Sequence, residues 1–236
     1  YRNLLAVDEK GGGLVRTRTL AGRLPKAGLR FAGVSSGSTG SAFLLNPKAP
    51  AGVGVLVNGY FDPGKTVAYP ADASAAILAK LGSAPAKAGA ERYDNVVSWT
   101  QRVLREYVLP ELRPDVVMNW LTEPDHSQHV IGVGSPAARE ALRHDDREIA
   151  LTLATLDELG LTKRADVFVV SDHGFTSNVA GVDVARELAL DSPDVILASS
   201  GQAVALHVKD RDAGRLGAIA RLGQSREWGG PLFTAA

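Results

Sequence analysis

The chain has 236 residues, 45% of them hydrophobic, enough to bury one substantial core as a single domain or two small ones. Its 26 basic and 26 acidic residues cancel to a formal net charge of +0, so there is no global field to draw in nucleic acid or an anionic membrane surface, and a basic-patch binder is disfavoured. Cysteine is absent, which excludes disulfides, thiolate metal sites and cysteine nucleophiles within these residues. The longest uncharged stretch, residues 31–47, is interrupted by Ser, Thr, Gly and Asn and cannot form a hydrocarbon-spanning helix, so the chain reads as soluble. Residues 1–5 hold neither an initiator Met nor a signal-peptide pattern, as if the start were internal.

In chain order, residues 1–18 carry Gly11-Gly12-Gly13 between short apolar pieces and are expected to form a turn between extended segments. The triple glycine lacks the spacing and following helix of a dinucleotide fingerprint. Thr19 is a plausible N-cap for a helix over residues 20–27, with Gly28 after it and the apolar run 29–34 as a strand. That strand delivers the small-residue loop Ser35-Ser36-Gly37-Ser38-Thr39-Gly40. The loop matches neither the spaced glycines and Lys of a phosphate-binding loop nor a nucleophile elbow, and is taken as a structural turn. Residues 46–70, rich in Gly, Pro and Ala around 53–57, predict a loop, a strand and another loop. Asp72 is expected to cap a helix through Leu81, with residues 84–89 as a connector. Tyr93, Val96, Val97, Val103, Leu104, Tyr107 and Val108 recur at three- and four-residue steps, the stripe of a helix packed on a sheet, which Pro110 and Pro114 should end.

Residues 115–121 (DVVMNWL) predict a compact strand, and EPDHSQH begins at its exit. Ser135-Pro136 offers an N-cap and first-turn proline for a helix to about Leu159, with Leu142, Ile149, Leu153 and Leu156 on its inner face and Gly160 as its stop. Residues 166–170 (DVFVV) predict the next buried strand, followed by the turn SDHG. A helix behind Asp183 over 182–190, paired strands over 195–198 and 203–208 around Ser200-Gly201-Gln202, and a helix over 211–222 complete the chain. Apolar strands alternating with long helices imply an α/β fold, a mostly parallel sheet with helices on both faces. Ligands in such sheets gather beyond the carboxyl ends of the strands, where both DHSQH and SDHG fall.

Asp125 and His129 are one helical turn apart and so share a face. Asp172 and His173 end a strand where Gly174 permits a sharp turn. Carboxylate oxygen and imidazole nitrogen are zinc ligands, and two such half-sites roughly 4 Å apart would clamp a phosphoryl group for ester hydrolysis. Either pair alone occurs readily by chance, since Asp and His both favour turns and Asp caps helices; their co-occurrence at two strand exits carries the argument. Among the other histidines, His126 reads as a solvated neighbour, His144 as part of a charged, solvated helix face, and His207 as structural.

At EPDHSQHVIG and VVSDHGF the sequence resembles the alkaline phosphatase superfamily, most closely its type I phosphodiesterase and nucleotide pyrophosphatase branch. The resemblance implies an alkaline-phosphatase-like fold, a phosphate ester or nucleotide substrate, and two divalent ions, zinc by preference. Asp125 and His129 would hold one ion, and Asp172 and His173 the other. Gln128 and Val133 depart from the branch's usual Gly and Pro, at spacer positions. The resemblance also implies an early Asp ligand and a Thr or Ser nucleophile upstream of Tyr1, and another His after SDHG. Residues 1–236 are therefore expected to be a partial catalytic domain, truncated at both ends and inactive or nearly so alone, with residues 46–90 as an insertion or cap segment. Relatives of this kind are frequently exported, to a periplasmic or extracellular location. A sulfatase or phosphomutase of the same superfamily, or a noncatalytic binding module retaining the fold, are the alternatives.

Overall fold

The apolar runs of the sequence become strands where a neighbour is available to complete their hydrogen bonds. The computed structural model describes residues 2–87, 91–178, 180–190, 193–201 and 203–233, so residues 88 and 89 of the expected connector and Gln202 of the expected hairpin turn lie outside them. The chain divides into two units, Tyr1–Thr176 and Ser177–Ala236.

The larger unit opens with α1 (Arg2–Lys10) rather than extended segments. With no strand beside it, a stretch rich in Leu, Ala, Glu and Lys follows its helix propensity. Helix α2 (Leu20–Arg23) starts as expected at Thr19, whose hydroxyl accepts from the Gly22 N–H at 3.1 Å, and tightens into a 3-10 turn over Leu24–Ala27. Strand β1 (Phe31–Ser35) is buried along its whole length, and Ser38 caps α3 (Thr39–Leu45). Strand β2 (Val55–Asp62) turns back into β3 (Thr66–Tyr69), a strand not expected from the Gly- and Pro-rich sequence there. Helix α4 (Ala71–Leu81) follows; Asp72 lies in its first turn rather than at its cap.

Helix α5 (Asp94–Val103) continues as a π-helical segment, Leu104–Leu112, that passes through Pro110 instead of stopping there. Proline has no N–H to donate, and in a π-helix the bond it omits is to the carbonyl five residues back, that of Arg105. Lys80 Nζ donates to the neighbouring Glu106 carbonyl at 2.8 Å. The segment ends at Arg113, in the left-handed region, and leads into β4 (Val116–Trp120). Helices α6 (Asp125–Ile131) and α7 (Pro136–Glu158) follow. Ser135 caps α7 through a 3.1 Å bond from the Ala138 N–H, and Gly160, at φ 68°, stops it.

The sheet order is β3-β2-β1-β4, with β1 parallel to both β2 and β4 and β3 antiparallel to β2. One face packs Val34, Val57, Ile77, Trp99, Val103 and Val108 under α4 and α5; the other packs Ala42, Leu45, Leu56 and Phe61 around α3. Each large apolar side chain buried there contributes roughly 1.5–3 kcal/mol. This is the α/β architecture that the alternation of runs predicts.

One expectation holds in part and one fails. Helix α7 packs Leu156 on the core and half-buries Ile149 as expected, but it turns Ala138, Ala141, Asp145 and Glu148 inward and leaves Leu142 and Leu153 exposed, with Ser98 of α5 bonded to Glu148 on its inner face. Residues 166–170 form no strand: Phe168 and Val170 are 83% and 87% exposed. Apolar character creates a demand for burial, but a strand also needs a neighbouring ladder, and none flanks this segment among the described residues.

The smaller unit holds α8 (Val184–Glu187), capped by Asp183, then the antiparallel pair β5 (Val195–Ser200) and β6 (Ala203–Val208), and α9 (Ala213–Gln224), capped by Asp212. These match the expected elements, with α8 shorter. His207 is exposed on β6.

Candidate metal centre at the strand exits

The exits of β1 and β4 are tied together by Ser36, whose N–H and hydroxyl both bond the Trp120 carbonyl while its oxygen accepts from the Thr122 N–H at 2.9 Å. One residue after Thr122, the buried Glu123 accepts from the Tyr93 N–H at 2.7 Å and from the Ser127 N–H and hydroxyl at 3.1 and 2.8 Å. One carboxylate thus anchors the first turn of α6 to the start of α5. The sequence carries no signal for Glu123, whose bond to the Tyr93 N–H joins positions 30 residues apart.

Helix α6 presents Asp125 and His129 on one face, with His129 Nε2 3.5 Å from Asp125 Oδ1. The segment after α7 brings His173 Nε2 to 3.4 Å from the same oxygen. Asp172 lies 3.7 Å from His173 and, among the described residues, pairs with neither Asp125 nor His129. The ring of Phe175, also missed by the sequence reading, lies 4.9 Å edge-on from His129 and 5.2 Å from His173. The four polar side chains are 47–66% exposed, so a solvent-borne ion can reach them.

His173 Nδ1 lies 3.0 Å from the Gly174 carbonyl. A proton on Nδ1 directed there leaves the Nε2 lone pair facing Asp125, as in metal-binding histidines whose other ring nitrogen donates to a carbonyl. That carbonyl, then Asp172 and Asp125, hold His173 above the ordinary imidazole range, against a small opposing effect of desolvation. Two ligands about 2.0–2.1 Å from one tetrahedral ion are roughly 3.3 Å apart, close to both Asp125–imidazole separations. The donor chemistry and pairwise spacing suit a hard or borderline divalent ion. Even so, among the described residues no group of three or more His, Asp or Glu is arranged as a metal site.

Around this rim, Lys87 Nζ donates to the Ser36 and Gly37 carbonyls and sits 4.2 Å from the Tyr60 ring centroid; burial brings its pKa down to about 8. His126 stacks on Tyr93 at 3.6 Å between centroids rather than standing free in solvent. His144 is likewise no solvated surface residue. Its Nε2 lies 2.9 Å from the Ser98 hydroxyl, which donates to Glu148, and Glu148 in turn pairs with Arg105 at 2.6 Å. Burial lowers His144 and, together with Glu123 and Glu148, pushes Asp145 up to about 8.

A mostly parallel sheet with helices on both faces is consistent with an alkaline-phosphatase-like α/β protein; Asp125 and His129 follow the exit of β4, whereas Asp172 and His173, against expectation, follow no strand. The chain belongs to the type I phosphodiesterase/nucleotide pyrophosphatase family, whose model matches residues 43–221. It is 28% identical over 136 residues to human (Homo sapiens) ectonucleotide pyrophosphatase/phosphodiesterase family member 7, covering 52% of this chain and 26% of that protein. To family member 1 of Mus musculus it is 32% identical over 115 residues, 49% of this chain and 12% of that protein. The chain therefore spans about a quarter or less of the length of these relatives. No solved structure matches it.

Proposed function

We propose that the intact protein is a metal-dependent phosphoric ester hydrolase of the phosphodiesterase/nucleotide pyrophosphatase type, acting on a phosphate diester or nucleotide at a two-zinc centre. Asp125, His129, Asp172 and His173 are its contribution to the ligand set, and residues 1–236 form part of one catalytic domain, with residues 46–90 as an insertion or cap segment. The observation that carries this reading is the 3.4 Å approach of His173 to Asp125, which joins two motifs far apart in sequence. When bound, such ions supply positive charge that polarises a phosphoryl oxygen.

The chain's own residues prepare that surface. Asp125 offers one carboxylate oxygen between two imidazoles. The Gly174 carbonyl orients His173, Phe175 limits the rotation of both rings, and Glu123 fixes the helix from which Asp125 and His129 project. Four donors shared between two ions fall short of the three protein ligands usual at each catalytic zinc. These 236 residues alone therefore bind zinc weakly and barely turn over aryl phosphate esters. Zinc titration of the chain should show binding that is lost in Asp125→Ala and His173→Ala. A chain that binds no zinc refutes the metal assignment; robust turnover abolished by His129→Ala refutes the weak activity of the chain alone.

A further inference from the structure

The strand exits face one end of the sheet; the segments that enter β1 and β2 lie at the other. There the larger unit holds a cavity of about 540 Å3 lined by Arg18, Arg23, Lys26 and Lys48, with Thr17 and Val53 between them. No Asp or Glu lines it. All four cations are exposed, and none takes part in an ion pair among the described residues. Other cations of the unit, Arg113, Arg139 and Arg164 among them, also lack a carboxylate partner among the described residues; these four are set apart by lining one cavity together.

The walls are preorganised. The Thr19 hydroxyl holds the turn that carries Arg23. Asn46, fully buried, donates to the Val53 carbonyl at 2.7 Å and accepts from the Lys48 N–H at 3.2 Å, so both ends of that loop are pinned by one side chain. At Gly54, φ 66°, a Cβ would come within 2.6 Å of the Phe31 carbonyl oxygen, which holds the loop close against β1. The cavity falls within the size range of small-molecule sites. Two guanidinium groups and two ammonium groups are carried by the residues that line this one cavity, and phosphate oxygens suit both donor types.

We propose that this cavity binds a small ligand carrying two or more phosphate groups, at a site separate from the candidate metal centre. Three of the four cations precede residue 43, where the family match begins. The proposal does not rest on the phosphodiesterase reading.

The test is calorimetric titration of the chain, dialysed against EDTA, with inorganic tripolyphosphate at low salt. One saturable site is expected, weakened about tenfold or more by the double substitution Arg23→Ser/Lys26→Ser and weakened further by added salt. His129→Ala and the distant Lys163→Ser should bind as the parent does, which separates this outcome from the fate of the metal assignment. Absence of saturable binding up to about millimolar ligand overturns the proposal, as does equal affinity in the double variant. Sedimentation with phosphatidylserine vesicles that depends on Arg23 and Lys26, without tripolyphosphate binding, also overturns it, in favour of a membrane contact.

Discussion

Replacing Glu123 by Ala should loosen the candidate centre without touching any of its donor residues. The carboxylate is 4% exposed and accepts three hydrogen bonds. On truncation the Ser127 hydroxyl keeps its bond to the Pro124 carbonyl at 3.1 Å, but the backbone N–H groups of Tyr93 and Ser127 lose their acceptor. At about 1–3 kcal/mol for each donor left unpaired, the cost is roughly 2–6 kcal/mol, toward the lower end because the Tyr93 N–H is only part-buried. Glu123→Gln retains one acceptor oxygen and should lose about half as much. Urea denaturation followed by tryptophan fluorescence reads the change, since Trp99 is buried in the affected unit. Zinc affinity should fall in the same order, Ala more than Gln, because α6 positions both Asp125 and His129. A loss below about 1 kcal/mol in the Ala variant would refute the anchoring argument.

Asp145 should make stability fall as pH rises. Its carboxyl titrates at about 8 instead of the ordinary 3.8, chiefly through burial. Between those values the folded chain holds a proton that the unfolded chain releases, and stability declines by up to about 1.4 kcal/mol per pH unit. Asp145→Asn should flatten that slope and stabilise the chain at pH 7 by about 2–4 kcal/mol; denaturation series at several pH values that keep the parent slope would contradict this. Ser135→Ala should cost about 1 kcal/mol in thermal unfolding through loss of the α7 cap, with Ser135→Thr close to the parent; an unchanged melting temperature in the Ala variant would remove the cap from the account.

Local signals told the truth where the interaction they encode is itself local. Thr19, Ser135 and Asp183 announced helix starts because a cap needs only a hydroxyl or carboxylate and the next turn. Alternating apolar runs and helices announced the parallel core around β1. The failures involve partners outside the segment itself. The antiparallel β3 depends on the preceding strand β2 to pair with it, and the inner face of α7 depends on the sequence-distant Ser98 and Arg105. The same holds at the centre. The spacing of Asp125 and His129 is visible along the chain, whereas the approach of His173 and the Glu123 anchor appear only on folding. Charge balance hid the cationic cavity for a related reason: a sum over 236 residues carries no information about where four of them meet.

The carboxylate and imidazole groups on the inner face of α7 also give that helix a coordinate along its length. An oily seam tolerates sliding by one turn, because one methyl replaces another. Here a slide of about 5.4 Å would part Arg105 from Glu148 and strand both charges out of water. The ion pair thus acts as a detent. With α7 held at one setting against α5, the few residues between α6 and α7 fix where Asp125 begins its turn.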